Sequence, residues 1–118
     1  MRAFGLADRY EAVLADAMAD PMQPVEWLIC IEVLEHLEDP VAWLRRLRDA
    51  VVPGGRAFIT AALNAAQLDH IYLYEDSEQV IEQLQAADFA VEQGLLATAH
   101  KPPAPDIPVP AVAAFVVS

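Results

Sequence analysis

The stretch WLICIEVLEHLEDP, residues 27–40, decides the fold of this 118-residue chain. It continues an apolar run from residue 25 to residue 31, and such a run predicts a strand that is covered on both faces, as in a parallel α/β sheet. Ionisable side chains follow at Glu32, Glu35 and His36. A helix should then begin at Pro40, because proline suits the first helical position and Asp39 can accept a hydrogen bond there. Ligands of open α/β sheets bind beyond the carboxyl ends of the strands, so the ionisable cluster is a candidate site.

Composition and charge exclude several classes of function. The net charge is −11 and only seven side chains are cationic, so no broad basic face is available for a nucleic-acid backbone. Cys30 is the single cysteine, which excludes an internal disulfide framework and a four-cysteine zinc site. The N-terminus lacks the pattern of a signal peptide, and no segment is long enough to span a membrane. We therefore expect a cytoplasmic protein that binds neither nucleic acid nor a membrane.

Amphipathic helices alternate with apolar runs along the rest of the chain. Val41, Leu44, Leu47 and Val51 share one face of the first helix, and the turn at residues 53–55 leads into the next strand. The predicted strands are 10–15, 25–31, 56–63, 89–97 and 111–117, the predicted helices are 39–51 and 76–88, and residues 101–110 are a proline-rich loop. This order predicts a single α/β domain over residues 1–118, in which a mostly parallel sheet with flanking helices ends in an antiparallel strand.

Three motifs occur in a fixed order: EVLEHLEDP at 32–40, VVPGGRAFIT at 51–60 and AADF at 86–89. In this order they resemble the second half of the class I S-adenosylmethionine-dependent methyltransferases, and the resemblance covers nearly the whole chain from about residue 10. It implies a partial Rossmann-like sheet. It also implies that Asp16 approaches the adenine amine of the cofactor and Ala17 the adenine ring. Ile31 and Glu32 would lie beside the methionine part of S-adenosylmethionine.

Two parts of the family's cofactor site have no counterpart in this sequence. These are the glycine-rich loop after the first strand and the acidic residue that ends the second. Only four glycines occur here, and none forms a G-x-G after a strand. The resemblance also implies that strand 25–31 lacks its neighbour and presents an open, apolar edge. We therefore expect a truncated methyltransferase-like domain, a homo-oligomer or a chain covered by a partner, that binds S-adenosylmethionine weakly or not at all alone.

The ionisable cluster also suggests a metal site. Glu32, Glu35 and His36 have the spacing i, i+3, i+4, which puts them on one face of a helix. Together with His70 in DHIYLY, they are similar to the metal site of the small-RNA 2′-O-methyltransferases, in which E-x-x-E-H and a later histidine hold a divalent ion. Two carboxylates and two imidazoles suit Mg²⁺, Mn²⁺ or Zn²⁺. The alternative is that these residues serve as helix caps and pocket walls, without a metal.

His36 and His70 are also the candidate catalytic bases, since histidine titrates near neutrality and can deprotonate a hydroxyl or amine acceptor. The alternative for each is a structural role. Tyr72 and Tyr74 either line an acceptor pocket or pack in the core. The arginines of the first helix are interpreted as a solvated face; they are Arg45, Arg46 and Arg48.

Two functions from different classes remain. The first is methyl transfer from S-adenosylmethionine to an oxygen, nitrogen or carbon atom of a small-molecule acceptor, within a composite or dimeric site. The second is a non-catalytic, methyltransferase-like module that acts as a dimerisation or partner-stabilising subunit. The missing glycine-rich loop favours the second function, whereas the motif EVLEHL favours the first. The sequence does not identify the acceptor.

Overall fold

The computed structural model describes residues 18–65, 71–98 and 109–118. The strands are β1 (Val25–Ile31), β2 (Val51–Leu63), β3 (Val91–Thr98) and β4 (Ala111–Val117), and the helices are α1 (Pro40–Ala50) and α2 (Ser77–Ala86). A short 3-10 turn, Leu34–His36, lies between β1 and α1. The strand predicted at residues 10–15 lies outside the described residues, as does most of the proline-rich loop.

The described strands form one mixed sheet in the order β1-β2-β4-β3. β1 pairs with β2 in parallel, and β4 lies antiparallel between β2 and β3. Three strands therefore run in the same direction and only the last runs against them. The predicted α/β class, with a mostly parallel sheet and a terminal antiparallel strand, is confirmed.

Local signals in the sequence set the starts of both helices. The Asp39 carboxylate accepts a hydrogen bond from the amide of Ala42, and Pro40 occupies the first helical position, as predicted. Asp76 caps α2 in the same way through the amide of Gln79. The buried stripe of α1 differs from the predicted one, because Val41 is only half-buried and the bulkier Trp43 faces the sheet. The buried residues of α1 are Pro40, Trp43, Leu44, Leu47 and Ala50.

A close approach of two backbones requires a glycine where β1 meets β2. A Cβ atom at Gly55 would lie 2.7 Å from the carbonyl oxygen of Glu26, which no real side chain tolerates. Gly54 beside it has a positive φ of 83°, the region that favours glycine. The predicted turn at residues 53–55 is therefore a kink inside a longer β2, which begins at Val51, and the register shifts at this point.

The core lies on one face of the sheet, which we call the covered face. Cys30, Ile59 and Phe115 point into it from three adjacent strands, and Leu44 and Leu84 pack on them from α1 and α2. Successive side chains of a strand alternate between the two faces. The covered face is thus built from alternate residues of β1, β2 and β4, with both helices on the same side.

The opposite face is mostly apolar and its two outer strands are exposed, and we call it the open face. The strand register places on it Trp27, Ile29 and Ile31 of β1, Phe58 of β2, Ala114 and Val116 of β4, and Leu95 of β3. Trp27, Ile29, Ile31 and Leu95 are each more than half exposed. The prediction that strand 25–31 is covered on both faces is therefore wrong for this chain. Its apolar run indicated two faces suited to burial, but only one of them is buried here.

β3 is an edge strand and not part of the core. All side chains from Glu92 to Thr98 are exposed, and Phe89, which was expected inside the strand, is buried just before it. The register shifts between Val91 and Gln93, a bulge that bends the edge. The prediction that residues 89–97 form a core strand is thus correct in structure type and wrong in burial.

Two arginines of α1 donate hydrogen bonds to the C-terminal end of α2, and Arg45 stays exposed, as the predicted solvated face requires. The guanidinium of Arg45 donates to the carbonyl of Ala86 at 3.5 Å, and that of Arg48 donates to the carbonyl of Asp88 at 3.1 Å. Arg48 also lies 5.8 Å from the ring centroid of Phe89. The last carbonyls of a helix lack partners within it, so cations here satisfy them.

Within the described ranges, no helix is both long enough and apolar enough to cross a membrane.

Candidate active site

The candidate site lies where the parallel strands β1 and β2 end side by side. β1 ends at Ile31, and the next residue, Glu32, has a positive φ of 52°. The amide of Glu32 donates to the carbonyl of Thr60 at 3.2 Å and to the hydroxyl of Thr60 at 3.0 Å. This left-handed conformation is unfavourable for a residue other than glycine, asparagine or aspartate. Thr60 therefore holds the chain in a sharp turn away from the sheet.

The end of β2 repeats this geometry. Asn64 follows the last strand residue and also has a φ of 52°. Its amide donates to the carbonyl of Tyr74 at 2.8 Å, and its side-chain NH₂ donates to the carbonyl of Glu75 at 3.1 Å. The amide of Tyr72 in turn donates to the carbonyl of Glu35 at 3.0 Å. Residues 72–75 thus cross this edge of the sheet and tie the two strand ends together.

Glu35 is a buried carboxylate at the base of the site. The residue is only 1% exposed. Its Oε2 accepts a long hydrogen bond of 3.5 Å from the amide of Ala62. Its Oε1 has no hydrogen-bond partner among the described residues. An unpaired buried acceptor costs free energy, so this oxygen of Glu35 lowers the stability of the folded chain.

The two tyrosines of the edge segment have different environments. Tyr74 is fully buried, and its hydroxyl donates to the side-chain oxygen of Gln83 in α2. Burial raises the pKa of Tyr74, with smaller contributions from Tyr72 and the Glu35 carboxylate. Tyr72 is half-buried, with its ring centroid 4.7 Å from that of Tyr74. Of the two alternatives for this pair, core packing holds for Tyr74, whereas Tyr72 reaches the surface beside the site.

Cys30 lies below the site on the covered face. Burial raises the pKa of its thiol, the negative charge of Glu35 adds to this, and the indole N–H of Trp43 acts in the opposite direction. Because Trp43 Nε1 makes no hydrogen bond to any described residue, we take its contribution to be small. Cys30 is therefore a neutral, buried side chain, as its place in the apolar run suggested.

The predicted site residues fall into three groups. Ile31 and Glu32 are exposed at the end of β1, as a ligand contact requires, but the amide of Glu32 is engaged by Thr60. His36 is half-buried and ends the 3-10 turn, so it stands at the same edge. The remaining predicted residues, Asp16, Ala17 and His70, lie outside the described residues.

The described part of the chain gives the metal prediction no support. In residues 18–65, 71–98 and 109–118, no three His, Cys, Asp or Glu side chains are grouped so that they could hold a metal ion. Glu32 is exposed at the strand end, whereas Glu35 is directed into the core. The helical spacing that suggested convergence does not apply, because residue 32 lies in a left-handed turn before the 3-10 turn begins.

Sequence reasoning missed Thr60 and Asn64. Both hold the left-handed strand ends, and neither belongs to a motif of ionisable residues. A signal was available for Asn64, since asparagine tolerates positive φ better than most residues and directly follows an apolar strand. Thr60 carried no such signal, because a threonine in a strand is common.

Comparison with known proteins shows what this chain is similar to. No family model matches the chain. It is 32% identical over 77 residues to a ubiquinone biosynthesis O-methyltransferase of Parvibaculum lavamentivorans, a match over 65% of this chain and 30% of that protein. The chain therefore spans about a third of the length of the curated relatives it matches.

Solved structures show the same fold. The SpnF cyclase superposes with a TM-score of 0.75 at 16% identity, covering 98% of this chain and 59% of that one. An O-methyltransferase of neocarzinostatin biosynthesis, in complex with S-adenosyl-L-homocysteine, superposes with a TM-score of 0.69 at 19% identity, covering 97% of this chain and 35% of that one. Since one of these proteins is a cyclase, the fold alone does not establish the reaction. In sequence and in fold, the predicted resemblance of this chain to the class I S-adenosylmethionine-dependent methyltransferases is confirmed.

Proposed function

We propose that this chain supplies one half of a site for methyl transfer from S-adenosylmethionine to a hydroxyl group of a small-molecule acceptor. The observation that carries the proposal is the pair of left-handed strand ends, at Glu32 and Asn64, on adjacent parallel strands. They turn the chain away from the sheet at its carboxyl edge, where ligands of such folds bind. The choice of a hydroxyl acceptor rests on the relatives, which are named O-methyltransferases.

The residues present fit the methionine side of the cofactor. S-adenosylmethionine, when bound, supplies a methyl group on a positively charged sulfur. The exposed carboxylate of Glu32 and the overall charge of −11 favour a cationic ligand at this edge. Ile31 offers an apolar contact beside it. We assign the adenine side to Asp16 and Ala17, which is an extension of the family resemblance.

The chain's own residues would also act on the acceptor. His36 stands at the same edge and takes the hydroxyl proton as the oxygen approaches the methyl group, and His70 is the second candidate for this base. Tyr72 would form a wall of the acceptor pocket. Catalysis in this arrangement depends mainly on alignment, because the methyl group is already activated by its positive charge.

The other half of the site would lie outside these 118 residues. This sequence contains no G-x-G after a strand, so it offers no close backbone approach to the cofactor. A composite site accounts for two features of the sequence: it has the motif EVLEHL, and it has no glycine-rich loop.

A second candidate function is a non-catalytic module that stabilises a partner. The exposed, apolar open face favours it, because such a surface suits association whether or not methyl transfer occurs. In that case Glu32 and His36 would be structural remnants of a site.

A complementation assay separates the two functions. The chain is mixed with the remaining part of the P. lavamentivorans enzyme, S-adenosylmethionine and 1,4-dihydroxy-2-naphthoic acid, the hydroxylated aromatic compound bound in the neocarzinostatin O-methyltransferase, and S-adenosylhomocysteine formation is measured. We expect His36→Ala to lower the rate by about 100-fold or more, with a changed pH profile, since a base contributes about 10²–10⁴-fold. The matched control, Glu38→Gln in the same connection, should leave the rate nearly unchanged. A complex that binds S-adenosylmethionine but forms no product would favour the non-catalytic module.

A further inference from the structure

Separate pieces of the chain complete the edge of β2 that faces β1. Residues two apart along a strand direct their backbone groups to the same side, so Thr60, Ala62 and Asn64 all face this side. The carbonyl of Thr60 accepts a hydrogen bond from the amide of Glu32, where β1 has ended. The amide of Asn64 donates to the carbonyl of Tyr74 in the edge segment. Ala62 lies between these two contacts, beyond the end of β1.

The side chain of Glu35 supplies the acceptor at Ala62. Its Oε2 accepts from the amide of Ala62 at 3.5 Å, so a carboxylate oxygen lies where a continuing strand would place a backbone carbonyl. Without this oxygen the amide would be a buried donor that lacks an acceptor, which is costly. The other oxygen, Oε1, has no partner among the described residues. It is the consequence of using a carboxylate, with two oxygens, in place of a single carbonyl.

The backbone around Glu35 is fixed as well. Its carbonyl accepts from the amide of Tyr72 at 3.0 Å, and the amide of the next residue, His36, donates to the carbonyl of Val33 at 3.0 Å. Leu34, on the other side of Glu35, is fully buried in the core. Glu35 therefore joins the 3-10 turn to β2 through its side chain and to the edge segment through its carbonyl.

We propose that Glu35 is a positioning residue, which takes the place of a strand carbonyl at Ala62 and thereby sets the positions of His36 and Tyr72. This inference rests on the proposed function, in which His36 takes the hydroxyl proton and Tyr72 forms a wall of the acceptor pocket. His36 follows Glu35 in the chain and Tyr72 is bonded to its carbonyl, so a shift of Glu35 moves both. The left-handed turn at Glu32 creates the need for Glu35, because it takes the strand neighbour of Ala62 out of the sheet.

The burial of Glu35 shows how it can act. At 1% exposure the residue is closed off from the surface, so its carboxylate acts on a reaction only through the residues that it holds. Among the residues that the structure describes, it belongs to no group of side chains that could hold a metal ion. Neither of its hydrogen bonds requires a negative charge, since an amide oxygen accepts in the same way. Glutamine should therefore replace Glu35, whereas a side chain without an oxygen at this reach should not.

A set of substitutions at Glu35 tests this expectation. Glu35→Gln keeps an acceptor at the same reach. Glu35→Asn also carries an amide, but the side chain is shorter by a methylene group. Glu35→Leu keeps the approximate volume without any acceptor. The matched control is Glu38→Leu, a change of the same kind at an exposed residue of the same connection. Circular dichroism checks that each variant folds.

Hydrogen exchange of the Ala62 amide, followed by NMR in the full chain without S-adenosylmethionine, measures the contact itself. The amides of β4 serve as the internal reference for global stability. Relative to them, the Ala62 amide should exchange about 3- to 10-fold faster in Glu35→Asn and Glu35→Leu, because one hydrogen bond is lost. In Glu35→Gln and in Glu38→Leu its exchange should be unchanged.

The complementation assay then measures the effect on the reaction. In Glu35→Asn and Glu35→Leu, kcat should fall by about tenfold or more, because a base displaced by a fraction of an ångström is poorly aligned with the acceptor. The KM for S-adenosylmethionine should change by less than about threefold, since the displaced group acts in the transition state. Glu35→Gln should restore kcat to within about threefold of the unsubstituted chain, and Glu38→Leu should leave it unchanged.

Distinct results would overturn the inference. Equal exchange of the Ala62 amide in all Glu35 variants would show that the carboxylate does not hold β2. A Glu35→Gln variant that loses kcat by about tenfold or more would show that the charge matters and not the acceptor, and this variant decides the point even where the other two do not fold. A KM that rises in parallel with the fall in kcat would indicate general damage to the site. No turnover by the unsubstituted chain, with the expected exchange pattern, would remove the proposed function and keep the role of Glu35 in the sheet.

Discussion

The covered and open faces of the sheet are built from alternate residues of the same strands, yet their environments are opposite. Ile59 on β2 is 0% exposed, whereas Ile29 on the adjacent β1 is 69% exposed. Both faces are apolar, so composition does not distinguish them. The difference lies in the helices: α1 and α2 both pack on the covered face, and no described element packs on the other.

This difference separates residues that stabilise the chain by burial from residues that stay exposed. Burial of apolar side chains is the main favourable term in folding, and only the covered face contributes it here. The open face is also apolar, but its side chains on β1 and β3 are exposed. A substitution on the covered face should therefore lower the stability of the chain alone. The same substitution on the open face should leave that stability almost unchanged and should instead weaken any complex.

The largest contrast should come from the two isoleucines. Ile59→Ala removes buried methyl and methylene groups and leaves a cavity, so the free energy of unfolding should fall by about 2–5 kcal/mol. Ile29→Ala removes the same atoms from an exposed position and should cost less than about 1 kcal/mol. Urea denaturation followed by circular dichroism gives both values. Equal losses would mean that the open face is covered within the chain itself.

The pH dependence of stability should report on the covered face. Because burial raises the pKa of Cys30 above the ordinary 9.0, the folded state holds the thiol neutral and the unfolded state loses its proton first. Stability is therefore fully present below pH 9 and declines as the pH rises above it, by at most about 1.4 kcal/mol per pH unit for one proton. Between pH 9 and 10, the decline should be smaller in Cys30→Ala. An identical slope in both proteins would contradict the buried position of this thiol.

A smaller contrast is expected between two arginines. Arg48 holds the end of α2 through the carbonyl of Asp88, so Arg48→Ala should lower the free energy of unfolding by about 0.5–1 kcal/mol. Arg56 pairs with Glu92 at the rim of the open face, where both side chains are well exposed and solvent screens the pair. Arg56→Ala should therefore cost less than about 0.5 kcal/mol. Thermal unfolding at low and high salt measures both losses of stability. A larger loss for Arg56→Ala than for Arg48→Ala would contradict this prediction.

Local patterns in the sequence predicted most of the fold. The strand at residues 25–31 and the strand at 111–117 were predicted to the residue, and Asp39-Pro40 and Asp76 marked the helix starts. These features depend on periodicity and capping, which are local properties. Burial was predicted less well, because it depends on what packs against each face. The apolar run of β1 indicates a strand suited to burial on both faces, but not whether the second face has a partner in this chain.

The candidate site was predicted only in part, for a similar reason. Glu32 and Ile31 were placed correctly at the end of a strand, because strand ends can be read from an apolar run. The predicted convergence of Glu32, Glu35 and His36 was wrong, because it depended on a continuous helix through residue 32. The positive φ of Glu32 and its two hydrogen bonds with Thr60 break that helix, and Thr60 is 28 residues away along the chain. A contact between residues so far apart in the sequence leaves no local signal.

Calorimetry with S-adenosylmethionine tests most directly the claim that this chain is half of a composite site. The chain alone retains Ile31, Glu32 and the proposed Asp16 contact, but lacks the glycine-rich loop and the ribose-binding acid. Each lost hydrogen bond to a charged group is worth about 1.5–3 kcal/mol, so losing two weakens binding by about 100-fold or more. We therefore predict no tight site in the chain alone, and a tight site once a polypeptide that carries the glycine-rich loop and the acidic residue is added. Micromolar binding by the chain alone would contradict the account.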